Sequence, residues 1–548
     1  MTLLLDNQIK KFRFYKIKNF APTSHLTSSL QKLLPARSFS HALPTSITSR
    51  SSLLQLHITR KNRKAQGIFL RSSITPLWCI RMPSDLSLPR SPGSTLTAEE
   101  DIVDVESNGL HLELAPFGLE HIHDYEPGGH HPVHLGDVYG NNGRYLVIHK
   151  LGHGGFANVW LSRDTEAKEA TKYVALKILM AEISSNDCPE LRVNQLEAAH
   201  NQNAPEGDGA ESICLPLDHF EIHGPNGNHL AFVYPVLGPN VSLGLFWASA
   251  DPDNDLRSLS LQVVQAVKFL HSQRICHGDI TPNNVLHRIS GLDGLNEDEV
   301  LRILGNPVVN PVLNASKECN YESTAPQYLV YPVSWWDVNT RFISKESCLI
   351  DFGESFKISQ PPNDLGIPGP YRSPELILDK KAGFGSDIWA LGCSLFEIRT
   401  GRKLFSSFDD EDNDYLDAIV QVLGKLPEPW WSSTWEDRRR IYKDEVDEQG
   451  LAVVALESEP GKDDPGEKAS VIMSTIHQSV TGNARSLKDK ISPGLWYMSD
   501  RHPNGDRHRD IPQTEQELFA DLLGRLLEYK PEDRISAKDA SNHEWFKL

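Results

Sequence analysis

Arg144 to Leu151 alternates apolar and polar residues, the turn Gly152-His153-Gly154-Gly155-Phe156-Ala157 follows, and Val159 to Leu161 resumes a strand-like run. A chain that reads strand, glycine turn, strand is expected to fold there as a hairpin. A dinucleotide-binding loop would lead into a helix, and a Walker loop would carry Gly-Lys-Ser/Thr, so this hairpin fits better as a flap over phosphates. Glycines suit such a flap because the backbone must approach the anion closely and adopt positive φ. A further strand, Tyr173 to Leu179, carries a single cation, Lys177, among apolar neighbours. A buried ammonium needs anionic partners, which a nucleotide phosphate and a carboxylate would supply.

Two acidic loops extend the pattern. Leu256, Leu259, Val263, Val264, Val267 and Leu270 recur at helical spacing, and His277-Gly278-Asp279-Ile280-Thr281-Pro282-Asn283-Asn284-Val285 follows them. Later comes Leu349-Ile350-Asp351-Phe352-Gly353. Two acids and an amide on loops beside buried strands suit a magnesium-nucleotide site, since Mg²⁺ takes hard oxygen ligands with phosphate as co-ligand. Taken singly, each Asp reads as a turn or a helix cap; together and in this order they form the signature set of phosphate-transferring enzymes. Asp387 begins an almost wholly apolar helix ended by Gly401, as a buried central helix would be.

Composition bounds the rest. A chain of 548 residues with 23% charged and 39% hydrophobic residues is neither wholly disordered nor collagenous, and its 35 Pro and 37 Gly predict long loops. Charge is unevenly spread: residues 1 to 84 hold 14 Lys and Arg against Asp6 alone, a net +13, and the remainder carries −31. An acidic body disfavours nucleic acid as the main partner and favours a basic polypeptide. Seven scattered cysteines without a CxxC argue for reduced thiols. The uncharged stretch Leu230 to Ala250 is broken by Pro235, Pro239 and Asn240, and reads as protein interior, with no membrane partner expected.

Residues 1–95 are basic and Ser-rich, the composition of a mitochondrial transit peptide or of a disordered basic tail; translation from Met82 is a third reading. Residues 96–143 turn acidic and then His-rich, a linker expected to pack on the following domain. Their imidazoles fit no closed zinc pattern.

The chain resembles the eukaryotic protein kinases, and within them the SR-protein-specific serine/threonine kinases of fungal type, over about residues 120 to 548. The motifs are PGGHHPVHLGD, LGHGGFANVWL, VALKIL, VYPVLG, HGDITPNNVL, IDFGESF, YRSPELIL, SDIWALGCSLFEIRTG and EDRISAKDASNHEW. The resemblance implies an α+β bilobal fold, with a small mainly-β lobe at 144–238 and a larger mainly-α lobe at 239–548 that contains an insertion at about 286–347. It also implies ATP and Mg²⁺, protein substrates that are basic or Arg/Ser-rich, a monomer, and a location in cytoplasm and nucleus.

Roles follow by position. Leu151, Gly152, Gly154, Gly155, Phe156, Ala157, Val159 and Ala175 would surround ATP. Lys177 would hold its phosphates and pair with Glu190, or failing that Glu197. In the hinge Tyr234 would stand beside the adenine, Pro235 would offer its carbonyl and Leu237 its amide. Asp279 would accept the substrate hydroxyl proton, and Asn284 and Asp351 would bind Mg²⁺. His277, Phe352, Gly353 and Asp387 would be structural, and Glu375 would pair with Arg534 beneath the activation segment.

Departures from the family pattern matter equally. Gly278 replaces the usual arginine, and between Gly353 and Ser373 the only Ser or Thr hydroxyls are Ser355 and Ser359, so activity without loop phosphorylation is expected. Thr281 replaces a lysine and Pro368 its threonine partner, which would weaken transition-state charge stabilisation. The insertion predicts a short helix from Asn296 to Gly305, capped at both ends. The acidic run Asp409 to Asp414 reads as a solvated face or as a docking groove for Arg-rich substrate. A pseudokinase scaffold that binds nucleotide without efficient transfer is the alternative function.

Overall fold

The computed structural model describes residues 109–114, 116–167, 172–192, 209–241, 249, 251–316, 318–319, 323–407, 410–446, 452–454, 486–497 and 507–548. Outside them lie the basic segment 1–95 with Met82, the start of the acidic linker, Glu197, Asp409 and part of the uncharged stretch before Ala250.

A six-stranded antiparallel sheet forms the small lobe. In chain order its strands are β2 (Val138–Tyr139), β3 (Tyr145–His153), β4 (Ala157–Asp164), β5 (Tyr173–Leu179), β6 (Asp218–Gly224) and β7 (Gly227–Pro235), with spatial order β2-β3-β4-β5-β7-β6. Its β-branched and aromatic residues suit a pleated surface, and Val147, Trp160, Val174, Leu176, Ile178 and Val233 close one face into a buried core. The sheet begins at Val138, inside the segment expected to be linker; β2 pairs Val138 with Leu146 and Tyr139 with Tyr145. The small lobe therefore starts before residue 144.

β8 (Leu237–Asn240) leaves that sheet and, beyond the two-residue strand β9 (Ile275–Cys276), pairs with β10 (Val285–Ile289), which pairs in turn with β13 (Ile343–Leu349). Only Val236 separates the two sheets, which places the hinge. The large lobe is built on helix α1 (Pro252–Ser272), whose apolar stripe is buried as its spacing predicts, and on α3 (Phe384–Thr400), buried almost all round. Each fully buried Leu or Val contributes about 1.5–3 kcal/mol, and these helices share one continuous core. α3 starts at Phe384, a turn before Asp387. It ends at Gly401, whose φ of 71° and approach of a would-be Cβ to 1.8 Å from Trp496 O admit no side chain.

The insertion departs from expectation. Its helix α2 (Glu297–Leu304) has the foreseen caps, a reciprocal box of Asn296 and Glu299 at one end and Gly305 at the other. Yet it does not pack as part of the large lobe. Leu292, Val300, Leu304, Val333 and Val338 bury themselves against Ile148, Leu161 and Tyr173 of the small-lobe sheet, because the apolar side of a helix this short is covered only by leaning on a neighbour. Strands β11 (Val309–Leu313) and β12 (Tyr328–Val330) form a hairpin, and β1 (His111–Leu112) adds to its edge. The insertion and the N-terminal linker thus form one sheet.

No helix among the described residues is long and apolar enough to cross a membrane, and no three His, Cys, Asp or Glu side chains among them cluster as a metal site.

Candidate active site

β3 and β4 close the glycine-rich hairpin, with Gly154 N–H donating to Ala157 O at 2.8 Å. No positive φ occurs at Gly152, Gly154 or Gly155. Their use is space: a Cβ on Gly152 would meet nothing within 4 Å, so the glycines leave room for a ligand against bare backbone. The expectation of positive φ there is corrected. Across the sheet, Val159 lies opposite Lys177, and Ala175 opposite Tyr234. Since directly opposed residues and alternate residues share a face, Val159, Ala175, Lys177 and Tyr234 look the same way, below the flap.

Lys177 Nζ contacts Glu190 Oε1 at 2.5 Å and Asp351 Oδ1 at 2.7 Å. Burial alone would depress this ammonium, but the charges of Asp351 and Glu190 outweigh it and hold its pKa well above the usual lysine value. The same Lys177 charge holds Asp351 below the ordinary carboxylate value. Glu190 is the second residue of a helical segment that starts at Pro189, and it is buried; it is the partner anticipated first.

Asn284 Nδ2 donates to Asp279 Oδ2 and to the Asp279 carbonyl, both at 2.8 Å. This commits the amide nitrogen and leaves the Asn284 oxygen for a cation. Asp279 Oδ1 is buried without a hydrogen-bond partner. Burial, reinforced by the nearby Asp351 charge, pushes the Asp279 pKa up to about 7, so the group can take a proton near neutrality.

The catalytic loop is held from behind. Asp387 accepts the N–H groups of His277 and Gly278, His277 Nε2 bonds Ile350 O at 3.0 Å, and Phe352 stacks obliquely on the His277 ring at 5.1 Å. Gly278 has φ 83°, and a Cβ there would lie 2.4 Å from Glu354 O. Glycine is therefore required by the backbone path as well as standing in for an arginine. Gly353 follows Asp351, itself at φ 65°. Arg534 makes a bidentate pair with Glu375 at 2.6 and 2.8 Å, buried beside Trp389.

The activation segment is ordered by neutral and carboxylate contacts. Ser355 is buried and donates to Phe352 O, and Glu354 Oε2 accepts from Gly366 N at 3.1 Å. Thr281 is buried, 3% exposed. In the acidic run Asp412 binds Arg372 at 2.6 Å, Asp414 binds Ser407, and Asp410 takes the Tyr415 hydroxyl. Asp410, Asp412 and Asp414 are thus tied to neighbouring side chains, while Glu411 is exposed and the Asp412 carboxylate stays 36% exposed, so the described part of the run keeps a solvent-facing acidic side. Sequence reasoning missed the buried pair of Glu120 and Lys150; the lone lysine two residues before Gly152 was its available signal.

A protein kinase domain model matches residues 342–546. The chain is 27% identical over 432 residues to the serine/threonine-protein kinase SRPK of Physarum polycephalum, covering 77% of this chain and 89% of that protein. It is 28% identical over 396 residues to protein kinase dsk1 of Schizosaccharomyces pombe, covering 56% and 71%. To serine/threonine-protein kinase SKY1 of Saccharomyces cerevisiae it is 33% identical over 181 residues, covering 32% and 24%.

With its β lobe, helical lobe, glycine flap and two acidic loops, the chain is a protein kinase with a bilobal fold. Such an enzyme uses ATP and a divalent metal ion. More narrowly, it is a serine/threonine kinase that acts on protein substrates, and it is similar to the SRPK kinases.

Proposed function

We propose that this kinase phosphorylates basic, Arg/Ser-rich proteins, with Mg²⁺ as its metal. The observation that carries the catalytic assignment is the convergence of two hydrogen-bonded groups, Lys177 with Glu190 and Asp351, and Asp279 with Asn284, close enough that the Asp351 charge acts on Asp279. ATP with its metal supplies the γ-phosphoryl group and neutralises charge as that group moves. Asn284 and Asp351 offer the hard oxygens that Mg²⁺ prefers. Lys177, kept charged by Glu190, orients the phosphates beneath the hairpin, and Leu151, Phe156 and Ala157 shape its inner side. Asp279, steadied by Asn284, receives the acceptor hydroxyl proton. Tyr234, Pro235 and Leu237 line the adenine side at the hinge.

The net charge of −31 outside the first 84 residues supports a basic substrate, because opposite charge speeds encounter and rejects acidic competitors. The enzyme acts as a monomer in this reading.

Transfer from Mg-ATP by the full chain to an Arg/Ser-repeat peptide and to a neutral Ser peptide tests it, with Asp279→Ala alongside. Preferential transfer to the basic peptide, lost in the variant, is expected. Equal use of both peptides would remove the substrate assignment. ATP binding without transfer to either would restore the scaffold reading and make Thr281 the residue to explain.

We also propose that residues 1–95 decide location. A fluorescent fusion of that segment that enters mitochondria marks a transit peptide, and a diffuse signal leaves the kinase to cytoplasm and nucleus.

A further inference from the structure

Residues 116–130 form an arm beside the glycine-rich hairpin. The Glu120 carboxylate pairs with Lys150 Nζ, and their side chains are only 2% and 0% exposed. Tyr125 donates its hydroxyl hydrogen to Glu120 Oε1 at 2.8 Å, and Asn158 Nδ2 donates to that hydroxyl at 3.4 Å. Lys150 also lies over the Trp160 ring at 5.1 Å. Lys150 stands two residues before Gly152, and Asn158 two residues after Phe156. The arm therefore grips both strands of the hairpin: one strand at Lys150, which lies opposite Trp160, and the other at Asn158, which lies opposite His153 at the turn.

Two further contacts extend the grip. At the turn, the exposed His153 reaches Gly118 O through Nε2 at 3.1 Å. At the far end, Gly128 O and Gly129 O accept from Glu182 N at 2.8 Å and Ala181 N at 3.1 Å, in the segment that joins the Lys177 strand to Glu190. A buried ion pair is a poor source of stability compared with apolar packing of equal volume, yet it fixes geometry, since either charge alone would be stranded. Such a pair at the base of the flap serves position.

We propose that Glu120 is a positioning residue for the glycine-rich loop, and that the 116–130 arm sets the affinity for ATP. This rests on the assignment of that loop to the nucleotide. Glu120 does not touch the reacting atoms; it acts through Lys150 and Tyr125. The strands then hold the loop at the height where backbone can meet phosphate.

The test uses the full chain with Glu120→Gln and His153→Ala. Calorimetric titration with ATP is read together with KM for ATP, KM for peptide and amide exchange across residues 150–160. Glu120→Gln is expected to weaken ATP binding roughly tenfold, within the usual range of coupling between linked sites, with peptide KM unchanged and faster exchange at the hairpin. His153→Ala, on the surface, should shift ATP affinity the same way by less. The double variant Glu120→Leu with Lys150→Met, which leaves no stranded charge, should recover stability without recovering affinity. Unchanged ATP affinity in a folded Glu120→Gln protein overturns the proposal. Should that variant fail to fold, unchanged affinity in His153→Ala overturns it. Failure of the wild-type chain to bind ATP would instead remove the nucleotide assignment itself.

Discussion

Asp387, near the start of the central helix, accepts the backbone N–H of Gly278 at 2.9 Å, across 109 residues of chain. Its other oxygen takes the N–H of His277 at 2.8 Å and His271 Nε2 at 3.0 Å. The buried helix α3 thus fixes the loop that carries Asp279. Asp387→Asn turns an amide NH₂ toward one of these donors. We expect kcat to fall about a hundredfold through misplacement of Asp279, with KM for ATP nearly unchanged, measurable in steady-state assays. Equal losses in both constants would show that the loop is held by other contacts.

Gly278→Ala adds a methyl group 2.4 Å from Glu354 O at a φ of 83°. The left-handed backbone alone costs about 1–2 kcal/mol, and the clash adds to it. Urea denaturation should report a loss above about 1 kcal/mol, and the displaced Glu354 should speed proteolysis of the activation segment.

Arg534 and Glu375 form a buried bidentate pair, and Arg534 also serves the carbonyls of Gly385, Glu528 and Tyr529. Arg534→Ala should cost about 3–5 kcal/mol by stranding the Glu375 charge. Arg534→Lys should recover little, because an ammonium cannot reproduce the fork. A Lys variant with wild-type urea midpoint would contradict this account.

Burial depresses the imidazoles of His131 and His287 from the ordinary 6.5 to about 4, with the His229 charge assisting at His131. Their folded values lie below their unfolded values, so the unfolded chain binds the extra protons between those limits. Their contribution is present above about pH 6.5 and is lost as pH falls toward 4, by up to about 1.4 kcal/mol per pH unit for each group. Urea midpoints at about pH 7.5 and about pH 5.5 should differ, and His287→Gln should flatten the slope.

Local structure was legible where local chemistry decides it. The strand Tyr173–Leu179 and the capped helix 297–304 fall where alternation and capping residues put them. That Lys177 needs an anionic partner follows from burying a cation; that the partner is Glu190 came from the resemblance to the kinases. What escaped was set by distant partners. Lys150 and Glu120 look like ordinary surface residues until both are buried, and nothing in residues 286–347 says that they lean on the small lobe. The acidic run promised a face and Glu411 is exposed there, but Arg372, Ser407 and Tyr415 engage Asp412, Asp414 and Asp410. Charge counts do not reveal which counter-charges the fold brings near.

The shared sheet of β1, β11 and β12 bears on how the enzyme can be shortened. Cutting at residue 144, where the glycine-rich hairpin starts, would remove β1 from β11 and β2 from β3. Two strand edges would then stand open, the kind of surface on which copies of a protein add to one another and precipitate. Lys150 would also keep its charge in the interior with Glu120 gone. A soluble minimal enzyme therefore begins before His111, and insolubility of a shorter one would reflect the cut and not the kinase.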